Sequence, residues 1–249
     1  MKKFLCIALA VVLAATMVVA LAACSKKDTK ATLTMATNAE FPPYEFHDGD
    51  SIVGIDAEIA QAIADKLGME LKIEDVAFDS IIPGVQAGKY DMGMAGMTVT
   101  DERLQSVNFS TSYAKGVQSV IVKEGSDIKT IDDIKGKKIG VQTSTTGDIY
   151  ATGDYGEESI TRYDNGAVAV QALVSGKVDC VIIDNQPAKS YVAANEGLTI
   201  LDTAYTEEDY AICFNKDNTE LQGKVNAALE ELIADGTVQS IIDKYIVAD

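Results

Sequence analysis

Tryptophan is absent from this chain of 249 residues, and histidine, arginine, proline and cysteine are scarce: one, two, four and four. The single histidine, His47, lies in a turn-like His-Asp-Gly-Asp segment, and no Ser-His pair, zinc-ligand spacing or cofactor fingerprint accompanies it. Enzyme chemistry that depends on such groups loses its support, and neither a cofactor nor a metal is expected. Positive charge is also short, 21 Lys plus Arg against 38 Asp plus Glu, for a formal charge of -17. A field of that sign repels phosphate backbones, so nucleic acid is excluded as a partner. With 47% hydrophobic residues and only four prolines, disorder and collagen-like repeats are excluded too. The length suits one large domain or two modest ones, and no repeat of fixed period interrupts it.

What is present begins with an export signal. Lys2 and Lys3 precede an apolar run over residues 4–19, which ends in the small residues Leu21, Ala22 and Ala23 before Cys24. That order marks residues 1–23 as a signal peptide. Leu21-Ala22-Ala23-Cys24 resembles a bacterial lipobox, which implies that Cys24 is lipidated and becomes the first residue of a protein held at the outer face of the cell membrane, facing the periplasm if the cell has an outer membrane. Residues 4–23 could just span a bilayer, but a cysteine closing the segment favours the lipoprotein. Residues 24–31 then form the lipidated cysteine and a polar tether, and the fold is expected from Thr32. Cys180 and Cys213 sit in apolar runs and read as buried free thiols.

Strand and helix patterns alternate from there. Residues 33–37 read as a strand, Ile55, Ile59, Ile63 and Leu67 mark one helical face, and a strand over 70–76, a helix over 79–87 and a strand over 91–94 follow. A second unit repeats the order: strands at 117–123, 138–141, 159–163, 178–183 and 198–201, helices at 130–134, 146–151, 167–174 and 185–194. A strand over 210–214 and helices over 219–235 and 237–245 close the chain. The pattern predicts an α/β protein of two lobes, each a parallel-rich sheet flanked by helices. Residues 32–115 plus 209–249 form the first lobe and 116–208 the second, with hinge strands near 113–118 and 206–211.

Four segments carry chemistry. After the first strand, a Pro-stiffened loop brings Asn38, Phe41 and Phe46 to a strand's carboxyl end, where α/β sheets bind ligands; Phe41 reads as a ligand-facing wall and Phe46 as core. Gly96 allows close backbone approach, Thr98 offers a hydroxyl, and Thr100 can cap a helix holding Arg103, whose planar fork fits a carboxylate. The hydroxyl-rich run from Gln142 to Thr146 opens a helix and suits a carboxylate better than a triphosphate, since the Walker ending is missing. Asp184, ending a strand, can cap the next helix or meet an ammonium group.

These residues resemble bacterial solute-binding protein family 3, the polar amino-acid-binding proteins of ABC importers. The resemblance rests on Gly54-Ile55-Asp56-Ala57-Glu58-Ile59, on Ala95-Gly96-Met97-Thr98 leading to Thr100-Asp101-Glu102-Arg103, and on Gly136-Lys137-Lys138-Ile139-Gly140-Val141. It implies a periplasmic-binding-protein-like (type II) fold, without catalysis. It also implies that Arg103 clamps an α-carboxylate with help from Thr146, that Asp184 receives the α-ammonium group, that Gly96 and Thr98 bond the ligand's backbone groups, and that Phe41 and Phe78 sandwich the side chain. The sequence departs from the family pattern at Asn38, often aspartate, and at Gln142, lysine in some glutamine binders. A neutral pair favours a glutamine-like ligand, because a buried cation wants a carboxylate; Glu40 supplies one if it points inward, which leaves arginine and lysine open. The expected partners are a polar L-amino acid, the transmembrane subunits of an ABC permease and, through the lipid, the membrane; the protein is expected as a monomer. An amino-acid sensor docking to a receptor is the alternative, and an exported dehydratase on the same fold a more distant one.

Overall fold

Long segments fold where their apolar spacing places them. The structure is a computed structural model that describes residues 30–202 and 204–246. The signal peptide 1–23, Cys24 and residues 25–29 of the tether lie outside the described residues, and the compact unit begins at Thr32. None of the described helices is long and apolar enough to cross a membrane.

β1 (Thr32–Thr37) is followed by a small antiparallel sheet, β2 (Glu40–Phe41), β3 (Glu45–Asp48) and β4 (Ser51–Val53), before α1 (Ile55–Leu67). Ile55, Ile59 and Ile63 are fully buried on α1, as the four-residue spacing requires, and the helix ends at Gly68 in the left-handed conformation that suits glycine. β5 (Glu70–Asp75) pairs with β1 in parallel; a 3-10 turn at Phe78–Ser80 leads into α2 (Ile81–Gln86), where Pro83 sits in the first turn and no intrahelical N–H is lost. β6 (Met92–Gly93) joins the other edge of β1, and α3 (Asp101–Ser106) and β7 (Asn108–Phe109) complete the first stretch.

β8 (Ala114–Lys123) carries the chain into a second sheet. There β9 (Ile139–Gln142), α4 (Thr146–Tyr155), β10 (Ile160–Tyr163), α5 (Gly166–Val174), β11 (Cys180–Asp184), α6 (Asn185–Ala194) and β12 (Leu198–Ile200) alternate. The chain returns through β13 (Thr206–Tyr210) to β14 (Cys213–Phe214), and ends in α7 (Thr219–Ala234) and α8 (Thr237–Tyr245), which pack on α1. The sheet orders are β5-β1-β6-β14-β7 and β10-β9-β11-β8-β12, with β13 pairing along the first half of β8. Three strands of each sheet pair in parallel, β5-β1-β6 and β10-β9-β11; the antiparallel pairs are those made by β14 in the first sheet and by β8 in the second.

Two expectations need correction. Residues 210–214 are not one strand: Tyr210 ends β13 against Ala114 of β8, while Cys213 pairs with Gly93 of the first sheet, so the chain changes sheets at Ala211 and Ile212. The strand expected from Val178 starts at Cys180 and runs to Asp184, which places that carboxylate inside the strand's end. Cys180 and Cys213 are buried free thiols, 0% exposed, and burial pushes both up to about 12.

Candidate functional site

The carboxyl ends of β1, β6, β9 and β11 point toward one cavity. All nine residues singled out from the sequence line it: Asn38, Phe41, Phe78, Gly96, Thr98, Arg103, Gln142, Thr146 and Asp184. Glu45, Ala95 and Thr145 join them. Gly96, at φ 52°, brings backbone against Phe41; a Cβ there would lie 2.9 Å from the ring.

One end is cationic. Thr100 caps α3 as expected, accepting from the Arg103 backbone N–H at 3.1 Å, and this fixes where the arginine leaves the helix. Arg103 is 7% exposed, the only cation among the buried residues described; burial holds its pKa below the usual value. Nη1 donates to the Thr98 carbonyl at 2.8 Å and Nη2 to the Ser144 carbonyl at 3.1 Å, while the Phe78 ring lies 5.3 Å from the guanidinium carbon. Of five donors, three remain for a ligand. Ser144 holds an unusual left-handed φ of 62°, stabilised where its N–H donates to Asp148 at 3.0 Å and Arg162 Nε grips the same carboxylate oxygen at 2.8 Å.

The other end is acidic. Asp184 occupies the cap position of α6 but makes no capping bond; instead its Oδ2 accepts from Gln118 Nε2 at 2.7 Å, and Oδ1 is buried with no hydrogen-bond partner among the described residues. The same Gln118 nitrogen lies 3.0 Å from Glu208 Oε2, which also accepts from the Thr98 hydroxyl at 3.0 Å, and 3.3 Å from Thr146 Oγ1. Burial first, then the neighbouring Glu208 charge, raises Asp184 well above the usual carboxylate range.

A third carboxyl, Glu45, is 0% exposed and lines the cavity. It lies beside Asp56, and neither of its oxygens has a hydrogen-bond partner among the described residues. Two neighbouring buried carboxyls disfavour each other's ionisation. Burial, then Asp56, pushes Glu45 well above its usual value; Asp56 is raised by burial only to about 6, because the Gly96 N–H (2.8 Å) and the Tyr113 hydroxyl (2.9 Å) donate to it.

Glu40 does not play the part offered to it. It is exposed on β2, next to inward-facing Phe41, and successive strand residues face opposite ways. Phe41 pairs directly with Glu45 across the β2–β3 ladder, and cross-strand partners share a face, so Glu45 points inward where Glu40 cannot. The sequence reading missed Glu45, Gln118 and Glu208; recognising that hairpin would have found the first. Phe46 packs edge-on to Tyr245 at 6.3 Å, outside the cavity, and His47 lies on the surface 3.0 Å from Asp75.

Contacts between the two sides close the cleft. Gln142 Nε2 donates to Asn38 Oδ1 at 2.9 Å, the Tyr191 hydroxyl donates to the Glu40 carbonyl at 2.6 Å, and Arg103 reaches Ser144 as above.

A two-lobed α/β scaffold with a polar cavity between its sheets is the periplasmic-binding-protein fold, and the family and relatives that match it are substrate-binding transport proteins. The chain belongs to the bacterial extracellular solute-binding proteins, family 3, whose pattern it matches over residues 33–248. It is 33% identical to the arginine-binding extracellular protein ArtP of Bacillus subtilis (strain 168), with the whole of each chain covered. Among solved structures, it is 41% identical to an ancestral arginine-binding protein bound to glutamine, with TM-score 0.83 and 88% of this chain and 99% of that one covered. An ancestral arginine-binding protein bound to arginine aligns with TM-score 0.82, 41% identity, and 88% of this chain and 99% of that one covered.

Proposed function

We propose that this protein captures a polar L-amino acid, arginine foremost, in the cleft and delivers it to the transmembrane subunits of an ABC permease. The observation that carries the choice of arginine is Glu45, a buried carboxyl on the cavity wall with only a second acid beside it. Arg103 then receives the α-carboxylate with Thr146, Asp184 and Thr98 receive the α-ammonium group, Phe41 and Phe78 flank the side chain, and Glu45 meets its cation. The neutral pair that favoured glutamine in the sequence, Asn38 and Gln142, satisfies itself across the cleft, so it argues less for a neutral ligand than Glu45 argues for a charged one. Glutamine remains the second reading, supported by similar ancestral arginine-binding structures, one bound to glutamine and one to arginine. The lobes are residues 32–115 plus 209–249 and 116–208, hinged through β8 and β13. A calorimetric and thermal-shift panel of the common L-amino acids is expected to rank arginine first, with lysine and glutamine weaker; no response to any of them sinks the reading.

Export follows from the signal at 1–23, and lipid on Cys24 would hold the protein, as a monomer, at the outer face of the membrane. Cys24→Ser is expected to leave the protein unprocessed, seen as a change in mobility, or to shed it from the membrane fraction. Unchanged membrane association and mobility would favour a permanent span.

A further inference from the structure

Resting on the amino-acid reading above, we infer that Glu208 is a positioning residue for the ligand's α-ammonium group: its carboxylate turns the Thr98 hydroxyl and the Gln118 amide so that two acceptors face the cavity.

Glu208 lies on β13 and is 6% exposed. One oxygen, Oε2, accepts both from the Thr98 hydroxyl and from Gln118 Nε2, each at 3.0 Å. An ammonium group only donates, so a threonine hydroxyl serves it only as an acceptor. Thr98 has one hydroxyl hydrogen, and Glu208 takes it, which leaves the oxygen's lone pairs for the ligand. Gln118 has two amide hydrogens, and its two shortest contacts are to carboxylates, Asp184 Oδ2 at 2.7 Å and Glu208 Oε2. That pairing fixes which way the amide faces, since the flipped amide would set an oxygen against both acids. It also leaves Asp184 Oδ1 without a hydrogen-bond partner among the described residues, as Gln118 Oε1 and Glu208 Oε1 are beside it, and of these Oδ1 is the second acceptor that faces the cavity from a residue lining it. The Tyr150 phenol of α4 faces Glu208 as well, and is raised by burial and then by this charge. Thr98 follows β6 in the first sheet, Gln118 and Asp184 lie on β8 and β11 in the second, and Glu208 is on the strand that returns from one to the other. The cluster therefore assembles only when both sides of the cleft are in place.

The test compares Glu208→Leu and Glu208→Gln with wild type by calorimetry, using L-arginine and 5-guanidinopentanoic acid, which is arginine without its α-amino group. Leucine removes the acceptor; glutamine keeps an oxygen that can accept from both donors. Glu208→Leu is expected to weaken L-arginine by about tenfold or more while 5-guanidinopentanoic acid stays within about twofold of wild type. Glu208→Gln should restore most of the L-arginine affinity, with the ligand-free melting temperature close to wild type. Equal losses for both ligands would show that Glu208 only supports the fold, and a glutamine variant as weak as leucine would show that its charge, not its orientation of neighbours, matters; either overturns the inference. If Glu208→Leu does not fold, Glu208→Ala, which leaves room for water, takes its place. Should wild type bind L-glutamine but not L-arginine, the arginine reading fails separately, and the same comparison with L-glutamine and 4-carbamoylbutanoic acid decides the role of Glu208. Binding of neither amino acid by wild type overturns both.

Discussion

Arg103→Ala and Asp184→Ala should each weaken amino-acid binding by roughly two to four decades, measured by calorimetry. Both groups are buried, at 7% exposure, and each would face one charge of the zwitterion. Removing one partner of a buried pair costs on the order of 3 to 5 kcal/mol, because the remaining charge is stranded away from water. Arg103→Ala should be the worse of the two, since it also breaks the bond to the Ser144 carbonyl across the cleft and the stacking on Phe78. Arg103→Lys keeps the charge without the fork and should fall between. A ligand that binds only the folded protein at a thousandfold excess over its Kd adds about 4 kcal/mol of stability, so both alanine variants should lose most of the ligand-induced rise in Tm at that concentration. Wild-type affinity in Asp184→Ala would show that the ammonium group lies elsewhere.

Glu45→Gln tests the side-chain end. L-Arginine should bind the variant about a hundredfold more weakly, on the order of 3 kcal/mol for a lost buried charge partner, while L-glutamine stays within a few-fold of its wild-type affinity. Protons give a second readout. Asp184 and Glu45 are both raised, so in the empty cavity each holds a proton at pH values where an exposed carboxylate has none. An α-ammonium group favours the ionised form of Asp184, whatever the side chain; a guanidinium does the same to Glu45, and a neutral amide does not. Arginine should therefore release one more proton than glutamine from wild type and the same number from Glu45→Gln, seen as the dependence of binding enthalpy on buffer ionisation. The sign follows: arginine affinity rises with pH toward the raised pKa of the empty state and levels off above it. An unchanged preference for arginine in the variant would remove Glu45 from the ligand's surroundings.

How much of this could be read in advance depended on segment length and on which face a residue takes. α1 was legible at both ends because thirteen residues carry a repeated apolar spacing and a glycine closes them. The β2–β3–β4 sheet was not, because strands of two to four residues are too short for alternation to stand out around Pro42 and Pro43. That loss hid Glu45, whose direction is set only by pairing with Phe41. The nine cavity residues came from strand ends and from family resemblance, both of which locate loops well. Gln118 and Glu208 carry no local signature: they lie within strands expected to act as hinges, and their partners are 28 to 110 residues away in sequence. Tyr210 and Cys213 belong to different sheets for a reason no window of neighbours contains, the need to return to the first lobe.

The cross-cleft bonds from Gln142 to Asn38, from Tyr191 to the Glu40 carbonyl and from Arg103 to the Ser144 carbonyl are made by protein groups alone. When a ligand must supply all the free energy of closure, its apparent affinity falls by the fraction of molecules able to hold it. Here the lobes supply part of that free energy themselves, so the competent fraction is larger before any occupant arrives. The same bonds stand between an enclosed amino acid and solvent, and they must open before it leaves. Under the proposed function, an enclosed amino acid leaves only after those three contacts open, so a permease would receive it by separating the lobes.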